Sequence, residues 1–140
     1  MTLHIVARGK IGRSSEAELT ERYLKRIAWP VKLTELPERG GNLPAAGGGE
    51  VNIVLDERGV ALASSAFAAK LEKWRDSGKR EARFWIGAAD GHEATRREEA
   101  DLLLSFGPAT WPHLLVRAML AEQLFRATSI LAGHPYHREG

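Results

Sequence analysis

The stretch LLLSFGPATWPHLLVRAMLAEQLFRATSILAGHPYHRE, residues 102–139, decides how this chain folds. Its first five residues, Leu102 to Phe106, are a short apolar run that reads as a buried strand and meets a Gly107-Pro108 turn. A helix is predicted to start near Pro112, where proline's fixed φ and missing N–H cost nothing, with Thr110 or Trp111 as its cap. It stops before Gly133, a residue suited to the left-handed turn that closes a helix. At 3.6 residues per turn, Glu122, Arg126 and Ser129 make one narrow polar stripe, and nearly every other position is apolar. A helix facing a single core needs an apolar stripe of only about 100° or a little more. The excess predicts packing on the chain's own sheet and on a partner, most simply a twofold copy of itself.

Beyond that helix, His134, Pro135, Tyr136, His137 and Arg138 crowd titratable groups near the terminus. Chain ends are usually solvated and poorly ordered, which is one reading of this tail. The other is an arm that folds over a site.

Working back towards the N-terminus, strand and helix patterns alternate. Leu3 to Ala7 is a short apolar run ending at Gly9, read as a buried strand. Ser15-Glu16-Ala17-Glu18 has the form of a capping box and opens a helix with Leu19, Tyr23, Leu24 and Ile27 on one face. Val31 to Leu36 alternates by two, as a half-exposed strand does. Pro37 to Glu50 is glycine-rich and aperiodic, a flexible connector rather than a phosphate loop, since no Lys-Ser/Thr follows its glycines.

Val51 to Leu55 is a further strand, from which Asp56, Glu57, Arg58 and Gly59 turn away. Ser64 or Ser65 caps a helix that buries Phe67, Ala68, Leu71 and Trp74 and closes at Gly78. Arg83 to Ile86 is a strand ending in Gly87, Ala88, Ala89, Asp90 and Gly91. A short charged helix from Glu93 to Ala100 precedes the last strand, with Arg96-Arg97 and Glu98-Glu99 read as a solvated face. Trp74, Phe84 and Trp85 read as core. The alternation predicts an α/β fold: a single domain over residues 1–140 built on a parallel sheet, with no internal repeat.

Composition narrows the class. The chain has 140 residues, enough for one real core, and no apolar run approaches the ~20 residues of a membrane span. Its N-terminus lacks the basic-then-apolar order of a signal peptide, and it has no cysteine, which removes disulfides, thiolate metal sites and cysteine nucleophiles. A cytoplasmic protein is expected. The net charge is only +2, a weak pointer to nucleic acid, although the basic residues are mostly arginine, which suits phosphate and base-edge recognition.

In open α/β sheets, ligands bind beyond the carboxyl ends of strands. Three such ends carry permissive or special residues: Leu55, Gly87, and the run Phe106, Gly107, Pro108, Ala109, Thr110 and Trp111. Taken singly, each glycine is as well explained by a turn.

Three ordered blocks then carry a resemblance: LDERG at 55–59, FWIGAADG at 84–91, and PATWPHLLVRAMLAEQLFRA followed by GHPYHRE. Over nearly its whole length the chain resembles the RlmH-type methyltransferases of the SPOUT superfamily. The resemblance implies a parallel-sheet α/β sandwich with a C-terminal trefoil knot, working as a homodimer. It implies methylation of N3 of a pseudouridine in large-subunit ribosomal RNA, with recognition supplied by the assembled ribosome. It also implies S-adenosylmethionine, held by the knot loops at Leu55, Gly87 and Phe106 through Trp111, and no metal. The sequence departs from the family at residues 37–50, where relatives have a longer, helical, charged segment. It departs again at Ala88, where a second glycine is common, and at Gly107, Pro108 and Ala109, which replace a serine, a basic or polar residue and a methionine. Pro108 can supply no N–H to a ligand.

Methyl transfer to that imide nitrogen requires positioning and removal of a weakly acidic proton. His137 is the first candidate for the base. Arg138 would hold a phosphate or stabilise the developing anion, and Tyr136 would stack on or hydrogen-bond the flipped nucleotide. His113, in the first helical turn, either joins the site or packs within its loop. Glu122 and Arg126 form an i,i+4 pair, structural unless a twofold interface covers it. Two other classes remain for comparison: an RNA- or ribosome-binding dimer without chemistry, and a metal hydrolase using His113, His134 and His137, a poor ligand set at that spacing.

Overall fold

The structure, a computed structural model, describes residues 1–88, 92 and 94–138. The elements run β1 (Thr2–Arg8), α1 (Ser15–Leu24), β2 (Val31–Leu36), β3 (Glu50–Ala61), α2 (Ser64–Asp76), β4 (Glu81–Ile86), α3 (Ala94–Glu98), β5 (Leu102–Ser105) and α4 (His113–Leu131). All five strands pair in parallel, in the order β2-β1-β4-β3-β5. Ala89, Asp90, Gly91, the expected helix start at Glu93, and Glu139 lie outside the described residues.

The period of two along each strand sorts the core. Leu3, Ile5 and Ala7 of β1 point to one face, with Ile53 and Leu55 of β3 and Phe84 and Ile86 of β4. Phe67 and Leu71 of α2, and Leu120 and Leu124 of α4, close over them. Burying side chains of this size stabilises by about 1.5–3 kcal/mol each. The opposite face holds the smaller cluster of Val6, Leu36, Val54 and Trp85, with Ala100 and Leu103 packed on it. Arg96 covers Trp85, its guanidinium carbon 3.7 Å from the ring centre.

α4 packs against both α1 and α2, and its buried residues include Ala118, Leu120, Ala121, Leu124, Phe125 and Ala127. The wide apolar surface expected to demand a partner is therefore largely used inside one chain. Ser129, placed in the polar stripe by periodicity, is buried as well, which leaves Glu122 and Arg126 half-buried beside it. The helix does end at Gly133, which has φ +72°. The Gly133 amide donates to the Ile130 carbonyl (3.1 Å) and the His134 amide to that of Ser129 (2.9 Å), the paired bonds of a Schellman closure.

Helix starts differ from expectation by a residue or two. Ser14, not Ser15, caps α1, and its hydroxyl accepts the Ala17 amide at 3.1 Å. Ala17 then occupies the third helical position, so Glu18 closes no capping box. Ala63 stands at the cap of α2 with no side-chain bond, and the Ser64 hydroxyl donates instead to Gln123 of α4 at 2.8 Å. Pro112 is the cap residue of α4, ahead of the helix rather than in its first turn, because Thr110 is engaged elsewhere.

The expected turn at 56–59 is a break within β3, not its end. Leu55 and Val60 both pair with Leu104, so four residues loop out before the ladder resumes. Gly59 allows the return: a β-carbon there would lie 2.5 Å from the Leu103 carbonyl.

Candidate functional site

The break in β3 and the carboxyl ends of β4 and β5 open on one cleft of about 650 Å³. Leu55, Gly87, Phe106, Gly107, Ala109, Thr110 and Trp111 all line it, so three loops far apart in sequence meet around one space. Pro108 is not among the lining residues. Ala88 lines the cleft, and its φ is negative, as a non-glycine residue there requires: among the described residues only glycines have positive φ.

The loops are tied to one another by side chains. The Thr110 hydroxyl donates to Glu57 Oε2 at 2.8 Å, joining the β5–α4 loop to the β3 break. The Ser105 hydroxyl donates to the Gly107 carbonyl at 2.7 Å and accepts the Gly107 amide at 3.0 Å. That turn holds Gly107 at φ +109°, a conformation only glycine adopts cheaply. Arg97 donates to Asp56 Oδ2 at 2.7 Å, and the Arg58 amide to Asp56 Oδ1 at 2.8 Å. Burial opposes ionisation of Asp56, yet these bonds and the neighbouring cations hold its carboxyl below the usual range. Arg97, expected on a solvated face, is thus a strut of the cleft wall, and Arg96 is a cover for Trp85.

His92 is a lining residue that sequence reading did not single out. Its Nε2 donates to the Leu55 carbonyl at 3.0 Å, and burial pushes the imidazole below its ordinary value despite that bond. No local pattern marks it, because its partner lies 37 residues away. His113 lines the cleft from the first residue of α4, as one of its two readings anticipated.

Arg117 is the other residue missed. It is 1% exposed and reaches from α4 to the β1–α1 loop and β2. Its Nη1 donates to Glu35 Oε2 at 2.5 Å and its Nη2 to the Gly9 carbonyl at 3.1 Å. Glu35 also accepts the Ile11 amide at 2.9 Å. Burial would raise the Glu35 carboxyl, but Arg117 and that amide outweigh it and hold it low.

The described part of the tail, residues 134–138, packs elsewhere. Tyr136 lies against Phe125, ring centres 4.6 Å apart, and its hydroxyl donates to Glu122 Oε1 at 3.3 Å. Burial, the Tyr23 hydroxyl and the Glu122 charge push its phenol up to about 12. Arg126, bonded to Glu122 at 2.5 Å, donates from Nη1 to His137 Nδ1 at 3.0 Å. The Glu122–Arg126 pair is therefore the mooring of the tail, not an isolated surface pair. Arg138 is exposed.

None of Tyr136, His137 and Arg138 lines the cleft. Arg126 lies thirteen residues along α4 from His113, roughly 20 Å at 1.5 Å per residue. Within one chain the structure gathers the cofactor candidates and leaves the catalytic candidates at the far end of α4. For the same reason His113 cannot share a metal ion with His134 and His137 of its own chain. Among the described residues no helix is long and apolar enough to cross a membrane.

A cleft of this size falls within the range of small-molecule and cofactor sites. Its apolar walls (Leu55, Ile86, Leu104, Val116) and carboxylate rim (Asp56, Glu57) fit a nucleoside that carries a cationic tail.

Comparison with known proteins gives the family. Residues 1–137 match the family described as "Predicted SPOUT methyltransferase". A protein of Rhizorhabdus wittichii named ribosomal RNA large subunit methyltransferase H is 67% identical over the full length of both chains. One of the same name from Novosphingobium aromaticivorans is 66% identical over the full length of both, and one from Zymomonas mobilis is 56% identical. A solved structure described as a probable methylase family protein from Haemophilus influenzae Rd KW20 has the same fold. It superposes with a TM-score of 0.63 at 11% identity, covering 98% of this chain and 70% of that one. The chain belongs to the SPOUT methyltransferase family.

Proposed function

We propose that this chain, as one SPOUT-like domain, transfers a methyl group from S-adenosylmethionine to large-subunit ribosomal RNA, at N3 of a pseudouridine on the assembled ribosome. The observation that carries the reading is the shared cleft: Leu55, Gly87 and Thr110 border one space, at the break in β3 and beyond the ends of β4 and β5. Relatives bearing the name ribosomal RNA large subunit methyltransferase H over their full length support the choice of substrate. The resemblance of the three sequence blocks supports the choice of pseudouridine, a C-terminal trefoil knot around the cleft, and a cytoplasmic homodimer.

When bound, the sulfonium donor supplies an activated methyl group. The chain's part is to hold reactants in line and to accept a proton. The Ser105–Gly107 turn fixes the floor of the cleft, and Thr110 with Glu57 fixes its rim. Such fixed loops present backbone groups without reorganisation at the moment of reaction. Asp56, held low by its partners, stays anionic beside a cationic ligand, with Arg97 limiting the charge that it leaves uncompensated.

His137 is assigned the proton acceptor, Arg138 the anion or phosphate contact, and Tyr136 the contact to the flipped base. In the observed arrangement the His137 Nδ1 lone pair accepts from Arg126. Its neutral ring then carries the proton on Nε2, so work as a base requires release of Arg126. The distance between tail and cleft within a chain favours a dimer in which one subunit's tail meets its partner's cleft.

Deleting the gene in its host and mapping ribosomal RNA by mass spectrometry tests the reading. One methyl lost from a single pseudouridine is expected. An unchanged methylation map contradicts it.

A further inference from the structure

The described surface carries a second chemistry-bearing feature beside the cleft, the β1–α1 loop at residues 9–13. Arg8, Lys10 and Arg13 fall within six residues, and no carboxylate occurs in the chain before Glu16. Lys10 and Arg13 are exposed. The loop leaves the carboxyl end of β1, next to β4, and so stands at the same edge of the sheet as the cleft. A β-carbon on Gly9 would lie 3.8 Å from Nε2 of His113, which itself lines the cleft.

This loop is not a loose surface turn. Buried Arg117 holds the Gly9 carbonyl, and Glu35 holds the Ile11 amide. Both grips meet at one carboxylate oxygen, because Arg117 also donates to Glu35 Oε2. Gly9 and Gly12 have φ of +85° and +60°, which fix the turn that carries Lys10 and Arg13 outwards. Glu35, the nearby carboxylate, is committed to Arg117 and the backbone. Arg8 is turned the other way, with Nη1 donating to the Pro37 and Gly40 carbonyls (2.9 and 2.7 Å). The result is a clamped turn that presents two cations next to the cleft, with Arg58 on the cleft's own lining.

We propose that Lys10 and Arg13 seat the phosphates of the RNA strand flanking the target nucleotide, with Arg117 and Glu35 as positioning residues that hold the turn in register with the cleft. The inference rests on the RNA-methylation reading above. Phosphate contacts of this kind set register and orientation and carry no sequence information. That suits a small protein whose target is selected by the particle around it.

The test compares the full-length protein with Lys10→Ala/Arg13→Ala and with the charge-keeping Lys10→Arg/Arg13→Lys. Binding to ribosomes lacking the modification is measured across salt concentrations, alongside S-adenosylmethionine affinity by calorimetry. The alanine pair is expected to bind donor within twofold of wild type and to bind ribosomes at least tenfold more weakly at low salt. The slope of log K against log salt should become shallower by about 1.5, as loss of two phosphate contacts predicts, and the charge-keeping pair should restore it. Equal ribosome affinity and slope for the alanine pair would overturn the proposal. So would weakened self-association with ribosome binding unchanged, which would assign the loop to a protein contact. Should wild type bind ribosomes yet transfer no methyl, the methylation reading fails, and the salt slopes still decide whether the loop meets RNA.

Discussion

The cleft and the tail are built on opposite terms. The cleft is complete within one chain: Thr110 to Glu57, Ser105 to Gly107 and Arg97 to Asp56 join its loops. The tail is equally well held, by Phe125, Glu122 and Arg126, but at the other end of α4. One chain therefore forms a ligand-sized cleft at one end of α4 and holds a histidine, a tyrosine and an arginine at the other. A rigid helix between two fixed ends cannot bring them together, and a symmetric pair of chains can.

The largest effects should separate these two regions. Ala109→Trp fills the cleft and is expected to abolish donor binding by calorimetry and all methyl transfer. His137→Ala should leave donor affinity within twofold while turnover falls about 10²- to 10⁴-fold, the range for losing a positioned base. Undiminished turnover in His137→Ala, with donor binding intact, would remove the histidine from the mechanism.

Mixing those two inactive variants sharpens the contrast. If each tail serves the partner's cleft, random pairing of subunits should restore roughly a quarter of wild-type activity through mixed dimers. A tail that serves its own chain gives none, because every chain then carries a fault in its only site.

A smaller effect is expected from the mooring. Arg126→Ala removes the donor to His137 and loosens Glu122 and Tyr136. Turnover should change several-fold with donor affinity unmoved, and stability by only about 1 kcal/mol, since the pair is partly solvated. A changed donor affinity would mean that tail and cleft are coupled within one chain.

The smallest effect is on acid stability, and it is spread through the fold rather than confined to either region. Burial lowers His4, which pairs with Glu81 and, through Nε2, with Thr34 at 2.7 Å, and burial lowers His92 in the cleft. A histidine lowered in the folded state is charged more readily in the unfolded one. Stability is therefore full above pH 6.5 and declines as pH falls through that value. Glu35, Asp56 and Glu81, held low by their partners, add a further loss below about pH 4.5. Thermal melts should show a shallow fall between pH 7 and 5, reduced in His4→Gln. A melting point that rises on acidification contradicts these assignments.

How much of this was legible in the sequence follows the range of each interaction. Strand cores and the Gly133 closure of α4 are short-range matters, set by period and by one glycine's left-handed φ. The cleft loops were legible as glycine-bearing strand ends, and the three blocks of resemblance grouped them. Helix caps were missed by one or two residues: Ser14 takes the capping bond expected of its neighbour Ser15, and Ser64 and Thr110 bond partners 59 and 53 residues away instead of an amide of the next turn. Arg117 and Arg97 were invisible for a stronger version of the same reason. Their carboxylates lie 82 and 41 residues away, and no periodicity encodes such a pairing. The breadth of α4's apolar surface pointed to the chain's own sheet and a partner copy, and much of it is taken up by α1 and α2 of the same chain.

The most direct test of the central claim is amide hydrogen exchange with and without saturating S-adenosylhomocysteine, the demethylated product. The account predicts slowed exchange at residues 55–58, 87–88 and 106–111, the three loops together. Protection confined to one loop, or centred on α1 or residues 37–49 with the three loops unchanged, would contradict it.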